Sequence, residues 1–211
     1  MLNFWMQYGA EMLQHTGEHL VLVAISTGVA ILLGVPLGIL ITRQPRFSPW
    51  LLGFANVVQT IPSLALFGLL IPLPLLGGIG AQTAIVALIL YALLPIIRNT
   101  YLGISGVDMA VCEAGRGMGM TDWQLLTQVE IPLALSVILG GIRIATVIAV
   151  GVATIAAAIG AGGLGVFIFR GVAVVDHRLI LAGAVPAALM AIAADAGLAW
   201  VERRLWVGPP S

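Results

Sequence analysis

The chain contains no lysine: its nine basic residues are all arginines. This absence removes the phosphate-binding lysine of a Walker A loop, a Schiff-base lysine and a serine/lysine dyad. The chain therefore cannot be a conventional P-loop ATPase on its own. Cysteine is almost as scarce. Because Cys112 is the only one, an internal disulfide and a thiolate metal cluster are also excluded.

Charge is the second scarce property. Only 9% of the 211 residues are charged and 60% are hydrophobic, whereas a soluble domain carries about 25% charged residues. This composition indicates an integral membrane protein. The formal net charge is zero and the arginines, apart from Arg143, lie at the ends of apolar segments, so the chain has no basic surface that would bind nucleic acid.

Five segments are long and apolar enough to cross a bilayer, which takes about 20 residues in a helix. We therefore predict an all-α, polytopic membrane protein with a single transmembrane domain over residues 1–211. Residues 160–178 are glycine-rich at their start and charged at their end, which predicts a re-entrant or surface loop with a short helix. The predicted spans are residues 20–42, 50–71, 81–97, 133–159 and 179–201.

The arginines also orient the chain, because positively charged loops stay on the cytoplasmic side. With the N-terminus outside and the C-terminus inside, six loop arginines are cytoplasmic and only Arg170 and Arg178 are external. This orientation places the polar segment over 105–132 in the cytoplasm. The six cytoplasmic arginines are Arg43, Arg46, Arg98, Arg116, Arg203 and Arg204.

The polar segment 105–132 carries local signals for two short helices with a bend. Ser105 and Asp108 are suitable N-caps for the first helix, because short polar side chains accept the unpaired amide hydrogens at a helix start. Thr121 with Gln124 three residues later predicts a capping box for the second helix. Pro132 predicts the next boundary. Between the helices, three glycines are expected to break helical order: Gly115, Gly117 and Gly119.

This segment resembles the EAA loop of importer-type ABC permeases. The matching residues are EAG at 113–115, Gly119 four residues later, and VEIP at 129–132. Gly115, Val129 and Ile131 replace an alanine, an isoleucine and a leucine of the family pattern. The resemblance implies a cytoplasmic coupling helix that receives the motion of a separate ATPase subunit. The residues it assigns to coupling are Glu113, Ala114, Gly115, Arg116, Gly117, Met118, Gly119, Met120 and Thr121.

In detail the chain is similar to the permeases for osmoprotectant quaternary amines, which are glycine betaine, carnitine and choline. The stretches that carry this similarity are QTIPSLAL at 59–66, LLPIIRNT at 93–100, EAGRGMGMT at 113–121 and IGAGGLG at 159–165. The similarity implies the small importer-permease (MetI-like) fold in a bacterial or archaeal cell membrane. An importer of the same layout for methionine or another small solute is the alternative.

The same similarity implies a set of partners. Two ATPase subunits would hold ATP and magnesium, so this chain itself would carry no cofactor, no metal and no catalytic residue. A second permease, identical or paralogous, would complete the membrane unit. A binding protein would deliver substrate on the outer side, and membrane lipid would surround the assembly.

Polar residues in the second predicted span suggest a translocation path. Pro62 removes a backbone donor there and loosens the helix, and polar groups at membrane depth usually face a cavity or another subunit. The alternative is that these side chains hydrogen-bond neighbouring helices together. The candidate path residues of this span are Asn56, Gln59, Thr60 and Ser63, and Tyr91 of the third span is added on similar grounds.

Arg143 lies near the middle of the fourth predicted span, where an unpaired arginine is costly. Asp195 in the fifth span lies at a comparable depth, at a rise of about 1.5 Å per residue. We therefore expect an intramembrane Arg143–Asp195 pair that fixes helix packing or takes part in gating. The alternative is that each side chain extends separately to the cytoplasmic surface.

A different function is suggested by His15, Glu18 and His19, which spell H-x-x-E-H, an inverted zinc-protease motif. His177 and Asp176 fall on the same side of the membrane. However, zinc sites of that kind need a stable helix, and Gly17 weakens this one. A membrane metalloprotease is therefore a remote alternative.

Two glycine patterns suggest packing rather than chemistry. Gly34 and Gly38 form a G-x-x-x-G pair, which is typical of a helix-packing surface. GAGGLG at 160–165 has no following lysine and follows no strand, so nucleotide binding is not indicated. We expect a tight external bend there.

Overall fold

The computed structural model describes residues 2–73 and 78–205, and these residues form helices and turns without a strand. The all-α prediction is confirmed. The helices are α1 Leu2–Arg43, α2 Ser48–Thr60, α3 Ser63–Leu70, α4 Ala81–Ser105, α5 Met109–Gly117, α6 Asp122–Leu125, α7 Ile131–Ala156, α8 Gly165–Ala173 and α9 His177–Leu205.

Four helical segments of the described chain are long and apolar enough to cross a membrane: Tyr8–Arg43, Ala81–Ser105, Asp122–Ile159 and His177–Leu205. A fifth span exists if the bent pair Pro45–Thr60 and Ser63–Leu70 is taken as one. The predicted span over 50–71 is therefore not a straight helix. The chain bends by 104° between its two helices.

The bend follows from Pro62. A residue before proline is pushed out of the helical region, and Ile61 accordingly has φ −70° and ψ 127°, which is extended backbone. Pro62 also lacks the N–H that a continuing helix would need. Helix α2 therefore ends at Thr60 and α3 begins at Ser63.

The other helices extend beyond the predicted spans. Helix α1 begins eighteen residues before the predicted start at 20, and α4 continues past Arg98 to Ser105. The boundary predicted at Pro132 lies one residue from the observed start of α7 at Ile131. The chain nevertheless stays helical across it, because a π turn over Leu126–Glu130 joins α6 to α7.

Helix α4 is the centre of the bundle and packs against α1 on one side and α7 on the other. Small residues allow this close approach. A Cβ on Gly34 would lie 2.8 Å from Cγ2 of Ile96, and a Cβ on Gly38 would lie 2.5 Å from Cβ of Thr100. The predicted packing role of these glycines is thereby explained. The α4–α7 contact buries Ala84, Ala87, Ala145, Ala149 and Ala153.

Candidate functional site

Helices α5 and α6 lie at one end of the bundle, which we call the coupling end. Oδ1 of Asp108 accepts a hydrogen bond from the backbone N of Ala110 at 2.9 Å and caps α5. Thr121 and Gln124 form both hydrogen bonds of the predicted capping box, at 3.3 Å and 2.9 Å. The predicted pair of short helices is present.

Two details of this prediction are wrong. Ser105 is the last residue of α4 rather than a cap of α5, because a tight turn separates it from Asp108. Gly115 lies inside α5 and does not interrupt it, whereas Gly117 is the last residue of α5. Gly119 follows in the turn, and its φ of 85° is a left-handed conformation that glycine adopts without strain.

Gly115 marks the closest contact between the two short helices. It is buried, and a Cβ at this position would lie 2.8 Å from Cδ1 of Leu125 and 3.1 Å from Sδ of Met120. Leu125 is fully buried. The glycine that replaces an alanine of the EAA pattern therefore lets α6 pack tightly on α5.

The rest of the predicted coupling segment faces outward. Glu113, Ala114 and Arg116 are exposed, as are Gly117, Gly119 and Thr121. Met120 is partly buried. Three large apolar side chains stand among the exposed residues, with exposed fractions of 71% for Met109, 78% for Met118 and 71% for Trp123. A rigid, capped helix pair that presents apolar and charged side chains together is suited to binding another protein.

An ion pair connects this region to the first span. Glu130, in the π turn that leads into α7, is buried, and both of its carboxylate oxygens accept hydrogen bonds from the guanidinium of Arg43. Arg43 ends α1. The pairing of these two residues was not predicted from the sequence. The available signal was the lone carboxylate at 130, bounded on both sides by apolar residues.

A depression of about 590 Å³ lies beside this ion pair. Its wall is formed by the end of α1 and by the coupling helices, so it combines two arginines, one carboxylate and an exposed indole. The lining residues are Thr42, Arg43, Arg116, Asp122, Trp123 and Leu126.

The predicted path residues do not form one group. Asn56 and Thr60 are exposed on α2, on the side that faces away from the rest of the chain. Gln59 and Ser63 are partly buried. Tyr91 is buried in the core, where its hydroxyl donates to the carbonyl of Ile61. Tyr91 therefore holds the α2–α3 bend in place.

The structure brings Arg143 and Asp195 together. Nε and Nη2 of Arg143 donate to the two carboxylate oxygens of Asp195 at 2.9 Å and 3.1 Å. Nη1 donates to Oε2 of Glu202 at 3.0 Å, and Ser136 donates to the other oxygen of Glu202. The part played by Glu202 was not predicted, although it lies seven residues after Asp195 and so two turns along the same side of α9.

The zinc-protease hypothesis fails on this geometry. Oε2 of Glu18 accepts from the backbone N of Gly163 at 3.0 Å and lies 2.7 Å from Nδ1 of His15. His19 is fully buried and its Nε2 donates to the carbonyl of Val150 at 3.1 Å. In residues 2–73 and 78–205, no three potential ligands, Asp176 and His177 included, are placed to hold a metal ion.

The GAGGLG stretch is the partner of this motif. Gly160, Gly162 and Gly163 have φ between 75° and 77°, so the stretch turns sharply before α8. A Cβ on Gly162 would lie 2.5 Å from the Glu18 carboxylate. The sharp turn is the tight bend that was expected over these residues. Glu18 and His19 of the H-x-x-E-H motif anchor α1 to this turn and to α7.

An all-helical bundle of apolar spans, one of them sharply bent, with a capped helix pair at one end is consistent with the class that the family model assigns, a membrane transport subunit. The chain belongs to the family of inner membrane components of binding-protein-dependent transport systems, whose family model matches residues 34–207. The matched region contains α2 to α9, the coupling helices included, and the C-terminal end of α1 from residue 34.

Relatives are similar along nearly the whole chain. The osmoprotectant import permease protein OsmW of Salmonella typhimurium is 51% identical, over 91% of this chain and 88% of the relative. The choline transport system permease protein OpuBD of Bacillus subtilis is 47% identical, over 97% and 90%. The carnitine transport permease protein OpuCD of Listeria monocytogenes is 46% identical, over 97% and 91%.

Solved structures share the fold. A chain of the MetNI methionine ABC transporter in inward-facing conformations superposes with a TM-score of 0.81 at 22% identity, covering 92% of this chain and 95% of its own. A chain of an amino acid ABC transporter with histidines superposes with a TM-score of 0.77 at 19% identity, covering 94% and 96%. The MetI-like fold is confirmed.

Proposed function

We propose that this chain is the permease subunit of an ATP-driven importer for quaternary-amine osmoprotectants such as glycine betaine, carnitine and choline. The observation that carries the proposal is identity of 43% to 51%, over at least 91% of this chain, to permeases named for these substrates. Similarity at this level covers the spans as well as the coupling helices. The methionine transporter at 22% identity supports the fold alone.

Energy would enter through the coupling end. The chain has no lysine for a phosphate-binding loop, so ATP and magnesium would be held by separate ATPase subunits. The exposed Met118 and Trp123 would fill a cleft of such a subunit, with Glu113 and Arg116 at the rim. Because α6 continues through a π turn into α7, a push on the helix pair would reach the spans directly.

The arginine distribution supports a cytoplasmic coupling end, with the N-terminus outside and the C-terminus inside. Arg43, Arg46 and Arg116 lie at or near this end in α1, the first connection and α5. The GAGGLG turn would then lie on the outer side, where a substrate-binding protein delivers its cargo.

The translocation path would form between this chain and a second permease, identical or paralogous. Asn56 and Thr60 are polar, exposed and in an apolar helix, and such groups are favoured where they face water or protein rather than lipid. Gly53, Asn56 and Thr60 share one side of α2 at helical spacing. A quaternary ammonium has no N–H to donate, so the tight aromatic site is expected on the binding protein, with weak contacts here.

Transport by the reconstituted assembly tests the substrate. The chain, its co-purifying ATPase and its binding protein are placed in vesicles, and uptake of labelled glycine betaine, carnitine, choline and methionine is measured with ATP inside or outside. ATP-dependent uptake of at least one quaternary amine is expected. Uptake of methionine alone would refute the substrate and retain the importer class.

Co-purification tests the coupling surface. Trp123→Arg places a charge in the exposed apolar patch and is expected to abolish association with the ATPase. Val174→Arg is the matched control, because Val174 is 63% exposed and lies at the opposite end of the bundle. Retention of the ATPase by Trp123→Arg, or its equal loss from both variants, would refute docking at α5 and α6.

A further inference from the structure

A groove on the outside of the bundle follows α1 and α2 up from the coupling end. It has a volume of about 360 Å³, and all of the residues that line it are apolar. Leu37 precedes Arg43 by six residues on α1, which is a distance of about 9 Å along the helix axis at 1.5 Å per residue. The groove therefore runs from the end of this apolar span towards its middle. Its walls include Leu37, Ile41, Phe47, Trp50, Leu51 and Phe54.

The groove continues inward. A narrower apolar cavity of about 100 Å³ shares Leu37, Leu51 and Phe54 with it and reaches Leu93 and Ile97 on α4. The packing of α1, α2 and α4 therefore leaves two adjoining apolar recesses on either side of Leu37, Leu51 and Phe54.

A free positive charge stands at the mouth of the groove. The guanidinium carbon of Arg46 is 5.1 Å from the ring centroid of Phe47, which lines the groove. Within the part of the chain that the structure describes, Arg46 has no carboxylate partner, whereas the neighbouring Arg43 is neutralised by Glu130. Trp50, 80% exposed, also lines the groove and is a side chain suited to the membrane interface.

We propose that this groove is a binding site for an anionic phospholipid, with an acyl chain between α1 and α2 and the phosphate paired with Arg46. A phospholipid has a long apolar chain with a negative charge at one end. The apolar wall of the groove would hold the chain, and Arg46 would pair with the charge. This site goes beyond the proposed function, since it requires neither transport nor an ATPase.

Fluorescence of Trp50 tests the site. A variant with Phe at Trp5, Trp123, Trp200 and Trp206 keeps Trp50 as its single indole and is reconstituted in phosphatidylcholine vesicles. Brominated phosphatidylglycerol or brominated phosphatidylcholine is added at the same mole fraction, and quenching is compared. Because one basic residue near the membrane surface favours an anionic lipid about fivefold, phosphatidylglycerol is expected to associate with Trp50 about fivefold more strongly.

Charge variants separate a specific site from ordinary lipid contact. Arg46→Gln is expected to reduce the preference to about equality, while helix content by circular dichroism stays unchanged. Arg204→Gln is the matched control, because Arg204 also stacks on an aromatic ring, 5.2 Å from the Trp200 ring centroid, and lies on α9, which does not line this groove. Trp200→Phe keeps an aromatic ring there. Arg204→Gln should keep the full preference.

Two results would overturn the proposal. Equal quenching by both lipids in the parent variant would mean that Trp50 meets only unselected bilayer lipid. Absence of quenching by either lipid would mean that protein, such as a second copy of the chain, covers the groove. Neither result would affect uptake by the reconstituted importer, so failure of this site is distinguishable from failure of the proposed function.

Discussion

Replacing Arg43 by methionine would remove the guanidinium that holds the buried Glu130 carboxylate and leave the long apolar part of the side chain in place. Glu130 is 5% exposed as a residue, whereas the Arg43 side chain is 37% exposed. The pair is thus buried on its acidic side and open to solvent on its basic side. The two single replacements should therefore have unequal effects.

The structure sets the magnitude between two limits. Breaking a fully buried ion pair by removing one partner costs about 3 to 5 kcal/mol, and an exposed pair is worth about 0.2 to 1 kcal/mol. For Arg43→Met, which leaves a buried carboxylate unpaired, we expect about 2 kcal/mol. Glu130→Gln leaves a neutral amide beside an arginine that water can reach, and we expect about 1 kcal/mol.

Thermal unfolding of the purified chain in detergent, followed by circular dichroism, measures the difference. A loss of about 2 kcal/mol corresponds to a fall of roughly 4 to 8 °C in Tm for a chain of this size. The double variant Arg43→Met/Glu130→Gln should be no less stable than Arg43→Met alone, because it leaves no buried charge. Arg46→Met is the control and should change Tm little, since Arg46 has no carboxylate partner among the described residues.

Two outcomes would refute this reasoning. A larger loss for Glu130→Gln than for Arg43→Met would show that the exposed guanidinium, not the buried carboxylate, depends on the pair. Additive losses in the double variant would show that the two side chains act independently.

Three further predictions concern other contacts. Gly165→Ala should prevent folding, because the new Cβ would lie 1.9 Å from the carbonyl oxygen of Thr154. By contrast, a Cβ at Gly151, on the same helix as Thr154, would meet nothing within 4 Å, so Gly151→Ala should stabilise the protein by about 0.5 to 1 kcal/mol. Expression level and Tm of the two variants test this difference. The Tyr91 hydroxyl donates to the Ile61 carbonyl at the bend, so Tyr91→Phe should lower the free energy of unfolding by about 1 kcal/mol without changing the KM for transported substrate. A changed KM at unchanged Tm would instead assign Tyr91 to the translocation path. Asp195→Asn should lower Tm more than Glu202→Gln, because Asp195 accepts two hydrogen bonds from Arg143 and Glu202 accepts one, and an amide at 195 leaves only one acceptor oxygen for the two donors. Unchanged Tm in both variants would mean that the ion cluster does not stabilise the contact between α7 and α9.

The local structure of the coupling end was predictable because each of its signals acts over a few residues. Asp108 caps an amide two positions on, and Thr121 and Gln124 complete a capping box within one turn. The pairing of Arg143 with Asp195 was also within reach, because a charge in an apolar span requires a partner and few candidates lie at that depth. Glu202 was missed because helix α9 continues regularly past the predicted end of the span.

The same local reasoning failed where distant residues supplied the partner. Arg43 and Glu130 are 87 residues apart, and Glu18 meets Gly163 at a separation of 145. Spacing alone made His15, Glu18 and His19 resemble a metal site, but the packing of α1 against α7 directs His19 to a backbone carbonyl. Tyr91 was grouped with polar residues of α2 that the fold places on another surface.

By itself the sequence determined that the chain crosses a membrane, that it carries no phosphate-binding lysine, and that two capped helices interrupt its apolar spans. Composition, helix length and caps decide these features, and none of them depends on how the helices pack. Tertiary structure alone decided the angle at Pro62, the partners of Glu18, Arg43 and Glu130, and the groove beside Arg46. Each of these arises where separate helices meet, so its geometry is set by side-chain packing between segments that are far apart in the chain.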